Sequence, residues 1–272
     1  MAKRIETLVV LRPGNQPVWR SALISRLVLD FWIPDGRKII VHWDTAELPA
    51  GDAAFVHVDR THVPPRFAKR AAQFPASINA KVDNISKRRV CTTLVHPDDD
   101  YAGPVIVKTN LNHRALPERR IGLVTKDWDW VLPPDRYPVF DRKEDVPARV
   151  WDDRGLVVQR LHVERRGEFY VNRNWYFLGD RDVVTEFHRS DPVSKTDTEV
   201  KRLPLSYEVP DALRRRRAEL GFDYGKFDFV MENGEPVLLD ANSTPHDIET
   251  RAEGTRRICQ HLAGGLDFFA AR

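Results

Sequence analysis

The sequence predicts a mixed α/β fold, and three observations support that class. In about the first eighty residues, short apolar runs alternate with segments of helical spacing, which is typical of a small open parallel sheet covered by helices. The last part of the chain instead holds long strand-like runs in pairs. With 272 residues, the chain is long enough for one large domain or for two to three small lobes with a real core.

The elements of the first part follow from apolar periodicity. Continuous or alternating apolar residues predict strands, whereas recurrence every three or four residues predicts helices. The predicted strands are Ile5–Leu11, Ile39–Trp43, Ala53–Asp59 and Ser77–Ala80, and the predicted helices are Trp19–Trp32, Pro64–Phe74 and Asn84–Leu94. An acidic stretch with Gly and Pro, His96–Pro104, then precedes the strand Val105–Thr109.

The second part begins with a predicted loop and ends with a predicted helix. The segment Trp128–Pro138 is rich in Trp and Pro, as connecting loops often are. A helix is predicted over Asp211–Leu220, with Asp211 as its N-cap and Gly221 as its stop. The other predicted elements are the strands Leu156–Leu161, Glu168–Phe177 and Val183–Arg189, a hairpin over 226–242 and a final helix over Glu249–Leu262.

Composition and missing motifs exclude several classes of protein. The net charge of +3 is too small to demand a polyanionic partner, and Cys91 and Cys259 are too few for a disulfide framework. No apolar run reaches membrane-spanning length or resembles a signal peptide, so we expect a cytoplasmic protein without a membrane partner. The nucleophile elbow, the phosphate loop, the dinucleotide-binding glycine motif and the H-E-x-x-H metal motif are all absent.

Two acids near the C-terminus give the strongest indication of the chemistry of this protein. Asp228 lies in the strand-like run Lys226–Val230, and Asp240 and Asn242 follow the run Pro236–Leu239. Two neighbouring carboxylates repel each other, so a patch that holds both needs a cation. All-oxygen ligands favour magnesium or manganese before zinc. We therefore take Asp228, Asp240 and Asn242 as candidate metal ligands.

That interpretation carries a geometric condition. A two-residue turn at Asn233 and Gly234 pairs Asp228 with Leu239 and puts Asp228 and Asp240 on opposite faces of the hairpin. A three-residue loop with Gly234 in the left-handed conformation, or a bulge, returns them to one face. On spacing alone, a solvated hairpin with two surface aspartates is about as well supported.

Basic residues supply the remaining candidates. Lys108 lies in mid-strand, where it either extends off an edge strand or holds an anion inside a cleft. Lys87 lies about a turn into its predicted helix, where it either contributes to a binding site or belongs to a solvated basic face. Arg189 ends a strand, and arginine suits bidentate contact with phosphate or carboxylate. The run Arg214–Arg217 spreads around a helix, so a nucleic-acid partner is not favoured.

The order of these elements resembles the ATP-grasp superfamily over nearly the whole chain. An α/β lobe precedes a helix with one lysine and a strand with another, and Asp240–Pro245 is similar to the family's acid-x-Asn-x-x-Pro signature. The resemblance rests on Lys87, Pro104–Thr109, Val157–Arg160, Val183–Arg189, Leu220–Phe229 and Pro236–Pro245. It implies an ATP-grasp fold with a pre-ATP-grasp α/β lobe over 1–82, a central small lobe over 83–155 and a C-terminal lobe with the metal site over 156–272. Two of these lobes would enclose a nucleotide cleft.

The resemblance also implies roles for individual residues. Lys87 and Lys108 would contact the phosphates and the adenine side of the cleft. Contacts to the nucleoside would come from backbone groups of Gln159, Arg160 and Leu161 for adenine, and from Glu164 or Glu168 for ribose. Asp228, Asp240 and Asn242 would hold the magnesium or manganese ions that bridge the triphosphate of ATP, with Asp240 shared between two ions. Arg189 and Lys108 would take part in catalysis, Arg189 by steadying the transferred phosphoryl group or an acyl phosphate.

The activity that the resemblance implies is an ATP- and magnesium-dependent ligase. It would convert a small-molecule or peptide carboxylate to an acyl phosphate and join it to an amine, or less often a thiol. One departure matters: the family covers the triphosphate with a glycine-rich loop, whereas Asn110–Pro117 here holds no glycine. A nucleotide-binding protein without ligase activity, acting as a sensor or accessory subunit, is therefore the second hypothesis, and a small-molecule kinase the third. The oligomeric state stays open, a homodimer included.

Overall fold

A computed structural model describes residues 4–14, 23–44, 47–193, 199–205, 207–246 and 253–271 of the chain. These residues form three β-sheets with short helices around them, so the predicted mixed α/β class is confirmed. Among the helices that the structure describes, none is long and apolar enough to cross a membrane.

The first sheet is parallel and has four strands in the order β2-β1-β3-β4. The strands are β1 (Thr7–Arg12), β2 (Lys38–Trp43), β3 (Ala53–Val56) and β4 (Ala76–Ile78), and the helices beside them are α1 (Leu23–Arg26), which continues as a π-helix over Leu27–Trp32, and α2 (Pro65–Ala71). The predicted small parallel sheet with covering helices is confirmed. The predicted helix Trp19–Trp32 starts outside the described residues.

The middle sheet is small and antiparallel, with the order β6-β5-β7. Its strands and the helices around it are α3 (Lys87–Val90), β5 (Val105–Thr109), α4 (Leu116–Arg120), β6 (Val139–Phe140), α5 (Ala148–Trp151) and β7 (Leu156–Arg160), with 3-10 turns at Asn112–Ala115 and Lys143–Asp145. The boundary expected at residue 156 thus falls at the start of β7, and β7 lies in the middle sheet.

The third sheet is antiparallel, with the order β11-β10-β9-β12-β13 and β8 paired to β9. Its strands are β8 (Glu164–Arg166), β9 (Phe169–Leu178), β10 (Arg181–Arg189), β11 (Glu199–Leu205), β12 (Tyr224–Glu232) and β13 (Glu235–Asn242). Helix α6 (Asp211–Glu219) precedes β12, and α7 (Glu253–Ala263) leads into a 3-10 helix over Gly264–Ala271.

One face of the third sheet is apolar and holds a core. Trp175, Phe177, Phe227 and Phe229 are fully buried there, and Leu213 of α6 packs onto them. Because side chains alternate along a strand, the neighbouring residues Asn174, Asp228 and Asp240 lie on the other face. We call the apolar side the back face and the side of Asp228 and Asp240 the front face.

Two predictions about helices are wrong. The helix predicted over Asn84–Leu94 shrinks to α3, because the backbone is already extended at Cys91 (φ −82°, ψ 137°). Beyond it, Leu94 bridges to Gln159 and Val95 N donates to Val158 O (2.9 Å), so this segment joins β7 rather than a helix. The N-cap of α6 is Pro210 and not Asp211. The predicted stop is confirmed, since Gly221 has φ +73° and a Cβ there would lie 2.7 Å from Lys81 Cβ.

Candidate functional site

The hairpin of β12 and β13 meets the geometric condition through a bulge. Its turn has two residues, Asn233 (φ 52°) and Gly234 (φ 84°), as the Asn-Gly pair favours. A regular ladder from that turn would place Leu239 opposite Asp228. The register shifts after Phe229, so Leu239 is an extra residue and Asp228 faces Asp240 directly. The two carboxylates therefore share the front face.

Polar side chains surround this pair on the front face. Asn174 of β9 lies opposite Asp228, and Lys226 lies opposite Asn242. Directly opposed residues have Cβ atoms only about 4.5–5.5 Å apart. The hairpin thus places two acids, two amides and one lysine in a patch across three strands.

Helix α3 brings Lys87 onto Asp240. Lys87 is buried, and its Nζ donates to Asp240 Oδ1 (2.6 Å) and to Asn112 Oδ1 (3.2 Å). Burial disfavours the charged amine, but the charge of Asp240 and the hydrogen bond to it, with smaller contributions from neighbouring groups, together outweigh burial, so the pKa of Lys87 is raised. Lys87 therefore stays an ammonium group beside Asp240.

The second carboxylate has its own lysine. Lys226 Nζ lies 2.8 Å from Asp228 Oδ1 and donates to Asp228 Oδ2 at 3.1 Å. Burial opposes the charge of Lys226, yet the nearby Asp228 raises its pKa to about 12. For Asp228, burial and then the neighbouring Asp240 raise the pKa, while Lys226 works against them. Although it is close to Lys226, Asp228 Oδ1 is buried and accepts no hydrogen bond of good geometry.

Lys108 approaches the same acids from the middle sheet. It lies in β5 opposite Val157, on the face that also carries Gln159, and its Nζ lies 5.5 Å from the ring centroid of Tyr137. Burial lowers the pKa of Lys108, and the nearby charge of Lys87 lowers it further. The nearby Cys91 acts in the opposite direction and raises it. Within the described residues Lys108 has no salt bridge and no hydrogen bond from its amine. Among the described residues, this half-buried amine thus has no anion bound to it.

Cys91 links the bulge to the expected adenine segment. Gln159 Nε2 donates to Cys91 Sγ (2.8 Å), and the thiol lies 3.6 Å from Leu239 O. Burial raises the pKa of Cys91, against the charges of Lys108 and Lys87, so the thiol stays protonated and can donate to that carbonyl. The contact ties the end of α3 to the strand that carries Asp240.

In the segment expected to contact adenine, two backbone N–H groups already donate hydrogen bonds within the protein. Arg160 N donates to Thr93 O and Leu161 N to Pro104 O, both at 2.9 Å. The guanidinium of Arg160 lies over the ring of Tyr101 at 4.7 Å. Because those two N–H groups are already bonded, contacts to adenine from this segment would come from other atoms.

Two glutamates predicted to reach the ribose lie away from the carboxylate pair. Glu164 is on the back face, where it forms a salt bridge with Arg173 and accepts from Met231 N (2.8 Å). Glu168 is exposed in the turn between β8 and β9. Neither is brought beside Asp228, and their proposed role stays a prediction.

Two other predicted residues share the front face at its edges. Arg189 pairs with Tyr170, four residues along β9 from Asn174, so it lies roughly 13 Å along the strand direction from the acids. Asn242 follows Asp240 on β13, and its Oδ1 accepts from Thr244 N (2.8 Å). Thr244 Oγ1 in turn donates to Asp59 Oδ1 (2.9 Å), which joins this end of the site to the first sheet.

The glycine-free loop after β5 has an unusual backbone. His113, Arg114 and Ala115 have φ values of 47°, 55° and 59°, three successive residues in the left-handed region. Such positions disfavour residues with a side chain, and strain of this kind concentrates at functional sites. Several hydrogen bonds anchor the loop; among them, Asn112 N donates to Thr61 Oγ1 (2.9 Å) and Lys87 N donates to Asn110 O (2.9 Å). The loop therefore packs against the helix that carries Lys87.

A divalent ion fits part of this donor set. In the part of the chain that the structure describes, no group of three or more His, Cys, Asp and Glu could hold a metal. Asp228 and Asp240 nevertheless offer two facing carboxylates; Lys226 Nζ lies 2.8 Å from Asp228 Oδ1, whereas one oxygen of Asp240 accepts no hydrogen bond among the described residues. Oxygen donors of this kind suit magnesium, which is commonly held by one or two carboxylates plus the phosphates of a substrate.

The sequence did not identify several residues of this site. Lys226 carries a usable pattern, since it lies two residues before Asp228 and strand alternation places both on one face. Asn112, Tyr137 and Asn174 reach the site only through contacts between distant segments. No local pattern marks them.

Comparison with known proteins gives remote structural matches. No protein-family model and no curated protein sequence matches the chain. The chain is similar to a RimK domain protein ATP-grasp from Sphaerobacter thermophilus, with 14% identity, 97% of this chain and 100% of that chain covered and a TM-score of 0.48. It is also similar to D-alanine–D-alanine ligase from Bacillus anthracis complexed with ATP, with 12% identity, 98% and 96% coverage and a TM-score of 0.49.

A third match is the macrocyclase MdnC from Microcystis aeruginosa, bound with the precursor peptide MdnA. Its identity is 11%, the coverage is 95% of this chain and 99% of that chain, and the TM-score is 0.49. Identities this low, with TM-scores below 0.5, establish neither a shared activity nor a shared substrate. The case for function rests on the side chains of the site.

Proposed function

We propose that this chain is an ATP-grasp enzyme, an ATP- and magnesium-dependent ligase that joins a carboxylate to an amine or a thiol. The observation that carries the proposal is the meeting of Lys87, Lys108, Asp228 and Asp240 from three separate segments. A triphosphate needs cations along its length and a metal to bridge its oxygens. The site offers both kinds of group in one place.

The residues of the site have distinct tasks in this proposal. Lys87 and Lys108 bind phosphate oxygens, and Lys108 is suited to this because its half-buried amine makes no salt bridge within the described residues. Asp240 and Asn242, with Asp228 facing Asp240, would hold the magnesium, which neutralises charge on the triphosphate when bound. Arg189, on the same face, would bind the transferred phosphoryl group.

The proposed reaction has two steps. A carboxylate oxygen of the acceptor attacks the γ-phosphorus of ATP, and ADP leaves as the acyl phosphate forms. An amine nitrogen then attacks the acyl carbon; phosphate leaves and the nitrogen loses a proton. Charge neutralisation and positioning supply most of the catalysis in such transfers, so no covalent group from the protein is needed.

The experiment that tests the proposal measures nucleotide binding and then turnover. Calorimetry with ATP and magnesium should show binding at one site, and ADP should be released only when both a carboxylate and an amine are supplied from pooled amino acids and peptides. Failure to bind ATP in the presence of magnesium would overturn the proposal. ADP release with a carboxylate alone, without an amide product, would point to a kinase instead.

A nucleotide-binding protein without ligase activity is the second candidate. The observation that favours it is the loop after β5, which lacks glycine and holds three left-handed residues in a fixed contact with α3. If this loop cannot move over the triphosphate, ATP binds without being used. Tight binding of ATP with no ADP release across the whole substrate pool would favour this candidate.

A further inference from the structure

Lys226, the lysine beside Asp228, lies in the site, but the proposed function gives it no role. Lys226 comes from a strand with neighbours on both sides, since β12 pairs with β9 and with β13. Across these ladders it faces Tyr176 and Asn242, and its side chain is only 16% exposed. The ammonium group is therefore held over the front face rather than extended into solvent.

Lys226 covers both oxygens of its carboxylate. Its Nζ lies 2.8 Å from Asp228 Oδ1 and 3.1 Å from Asp228 Oδ2. A cation that approaches within bonding distance of either oxygen meets this ammonium charge, and two like charges so close repel strongly where water is excluded. Asp228 is thus already occupied by a cation that the chain itself supplies.

Asp240 differs from Asp228 in this respect. Its Oδ1 accepts from Lys87 (2.6 Å) and from Ala241 N (2.8 Å). Its other oxygen makes no hydrogen bond within the described residues, and the side chain is 31% exposed. Of the two acids, Asp240 therefore keeps one oxygen accessible to an added ion.

From this asymmetry we infer that the site takes a single divalent ion with its nucleotide, and that the ammonium group of Lys226 stands in the place of a second ion. The inference rests on the proposed function, because it concerns the cations that accompany a bound triphosphate. Its physical content is a charge balance: Lys87, Lys108 and Lys226 face only two carboxylates, so fewer added charges are needed beside the phosphates.

The test counts ions directly and needs no turnover. The wild-type chain is dialysed to equilibrium with manganese and a non-hydrolysable ATP analogue, and bound manganese is divided by bound nucleotide. We expect a ratio of about one for wild type and for Lys226→Arg, which keeps the charge, and about two for Lys226→Met, which opens Asp228 to a second ion. Lys69→Met, which removes an exposed lysine of α2, should match wild type.

The outcomes separate this inference from the proposed function. A ratio of about two in the wild type, or a folded Lys226→Met variant that keeps a ratio of about one, overturns the inference and leaves the proposed function standing. No binding of the analogue at all overturns both. Circular dichroism establishes whether Lys226→Met is folded; if it is not, the ratios of wild type and Lys226→Arg decide the question.

Discussion

The two faces of the six-stranded sheet each carry a cluster of charged residues, and the clusters differ in how their charges are paired. The back-face cluster consists of Glu164, Arg166, Arg173, Glu186 and His188. The front-face cluster consists of Lys87, Lys108, Lys226, Asp228 and Asp240. The back-face cluster lies on β8, β9 and β10, whereas the front-face cluster lies on β12 and β13 of the same sheet together with Lys87 of α3 and Lys108 of β5.

In the back-face cluster every charge has a partner. Glu186 is only 1% exposed; it accepts from Arg166 (2.6 Å) and His188 (2.7 Å), and it forms an ion pair with Arg173 (3.1 Å). Arg173 also binds Glu164, and its guanidinium lies over the ring of Tyr207 at 5.3 Å. Each charge of this cluster thus faces a charge of opposite sign within the cluster, although Arg173 Nε is buried without a hydrogen bond among the described residues.

In the front-face cluster the pairing is incomplete. Within the described residues Lys108 has no salt bridge, and one carboxylate oxygen of Asp240 accepts no hydrogen bond. Thr185, on the same face, also has a buried hydroxyl without a hydrogen bond to the described residues. Buried polar groups are costly unless satisfied, so a cluster that keeps several of them unsatisfied is suited to binding something. The comparison separates a structural ionic network from a ligand site.

Removing one charge from the back-face cluster should lower the stability of the folded protein. In Glu186→Gln, Arg173 and Arg166 lose a carboxylate in a buried place, and breaking such a pair from one side costs about 3–5 kcal/mol. We expect the free energy of unfolding in urea to fall by that amount, while the folded fraction still binds nucleotide with unchanged affinity.

The matched control for this variant is Glu144→Gln. Glu144 is exposed and lies 3.9 Å from Lys143, so its loss should change stability by less than about 0.5 kcal/mol. If Glu186→Gln weakens nucleotide binding as strongly as it weakens folding, the division between the two clusters is wrong.

Removing one charge from the front-face cluster should reduce activity strongly and stability only slightly. In Asp240→Asn the amide oxygen still accepts from Lys87, and the loss of this ion pair is offset in part because the repulsion with Asp228 disappears. Stability should therefore fall by less than in Glu186→Gln. Binding of magnesium and transfer of the phosphoryl group depend on the lost charge. We expect turnover to fall by about 10²–10³-fold, as when one stabilising group is removed from an active site.

The assay for Asp240→Asn is ADP release at saturating ATP, beside a melting curve of the same preparation. A surface control is Asp127→Asn, since Asp127 is exposed in the loop after α4. Full turnover in Asp240→Asn would remove the metal-binding role from the front-face cluster.

Much of this contrast was within reach of the sequence. Most of the strands that carry the two clusters follow from apolar alternation, and the acids of the hairpin occupy its polar positions. No strand was predicted at β8, which carries Glu164 and Arg166. Their shared face was conditional, because no residue type marks a bulge in advance and the extra residue proves to be Leu239. Strand alternation places Lys226 on the same face as Asp228. Whether the two side chains pair depends on how far neighbouring strands exclude water, which the sequence does not show.

The parts that sequence could not supply depend on distant contacts. Periodicity favours a helix up to Leu94, yet Leu94 bridges to Gln159, sixty-five residues along the chain. Glu164 was considered for ribose, but it lies on the back face because β8 pairs with β9 at Val171. Local patterns specify the elements, whereas tertiary pairing decides which face each charged group occupies.

Alkaline pH should weaken nucleotide binding through Lys108. Its pKa is lowered by burial, so as pH rises it loses its proton before an ordinary lysine does, whereas Lys87, with a raised pKa, keeps its proton. We expect affinity for the ATP analogue to fall about 10-fold or more as the amine becomes neutral, because a hydrogen bond to a charged group contributes about 1.5–3 kcal/mol.

The measurement is calorimetry from about pH 7 to about pH 10, in wild type and in Lys108→Arg. Arginine stays charged throughout, so the variant should lose this pH dependence even if its affinity near neutrality is lower. An equal decline in both proteins would show that another group is responsible.

The smallest effect is expected where the two faces meet, at Arg216. Its guanidinium donates to Arg89 O (2.6 Å) and to Val90 O (3.3 Å), so α6 on the back face holds the end of the helix that carries Lys87. In Arg216→Gln these bonds are lost at about 1–2 kcal/mol of stability, and Lys87 is positioned less firmly. Nucleotide affinity should fall a few-fold. Arg215→Gln is the matched control, because Arg215 is exposed on the next position of the same helix. Equal affinities in the two variants would mean that the back face does not support the site through α6.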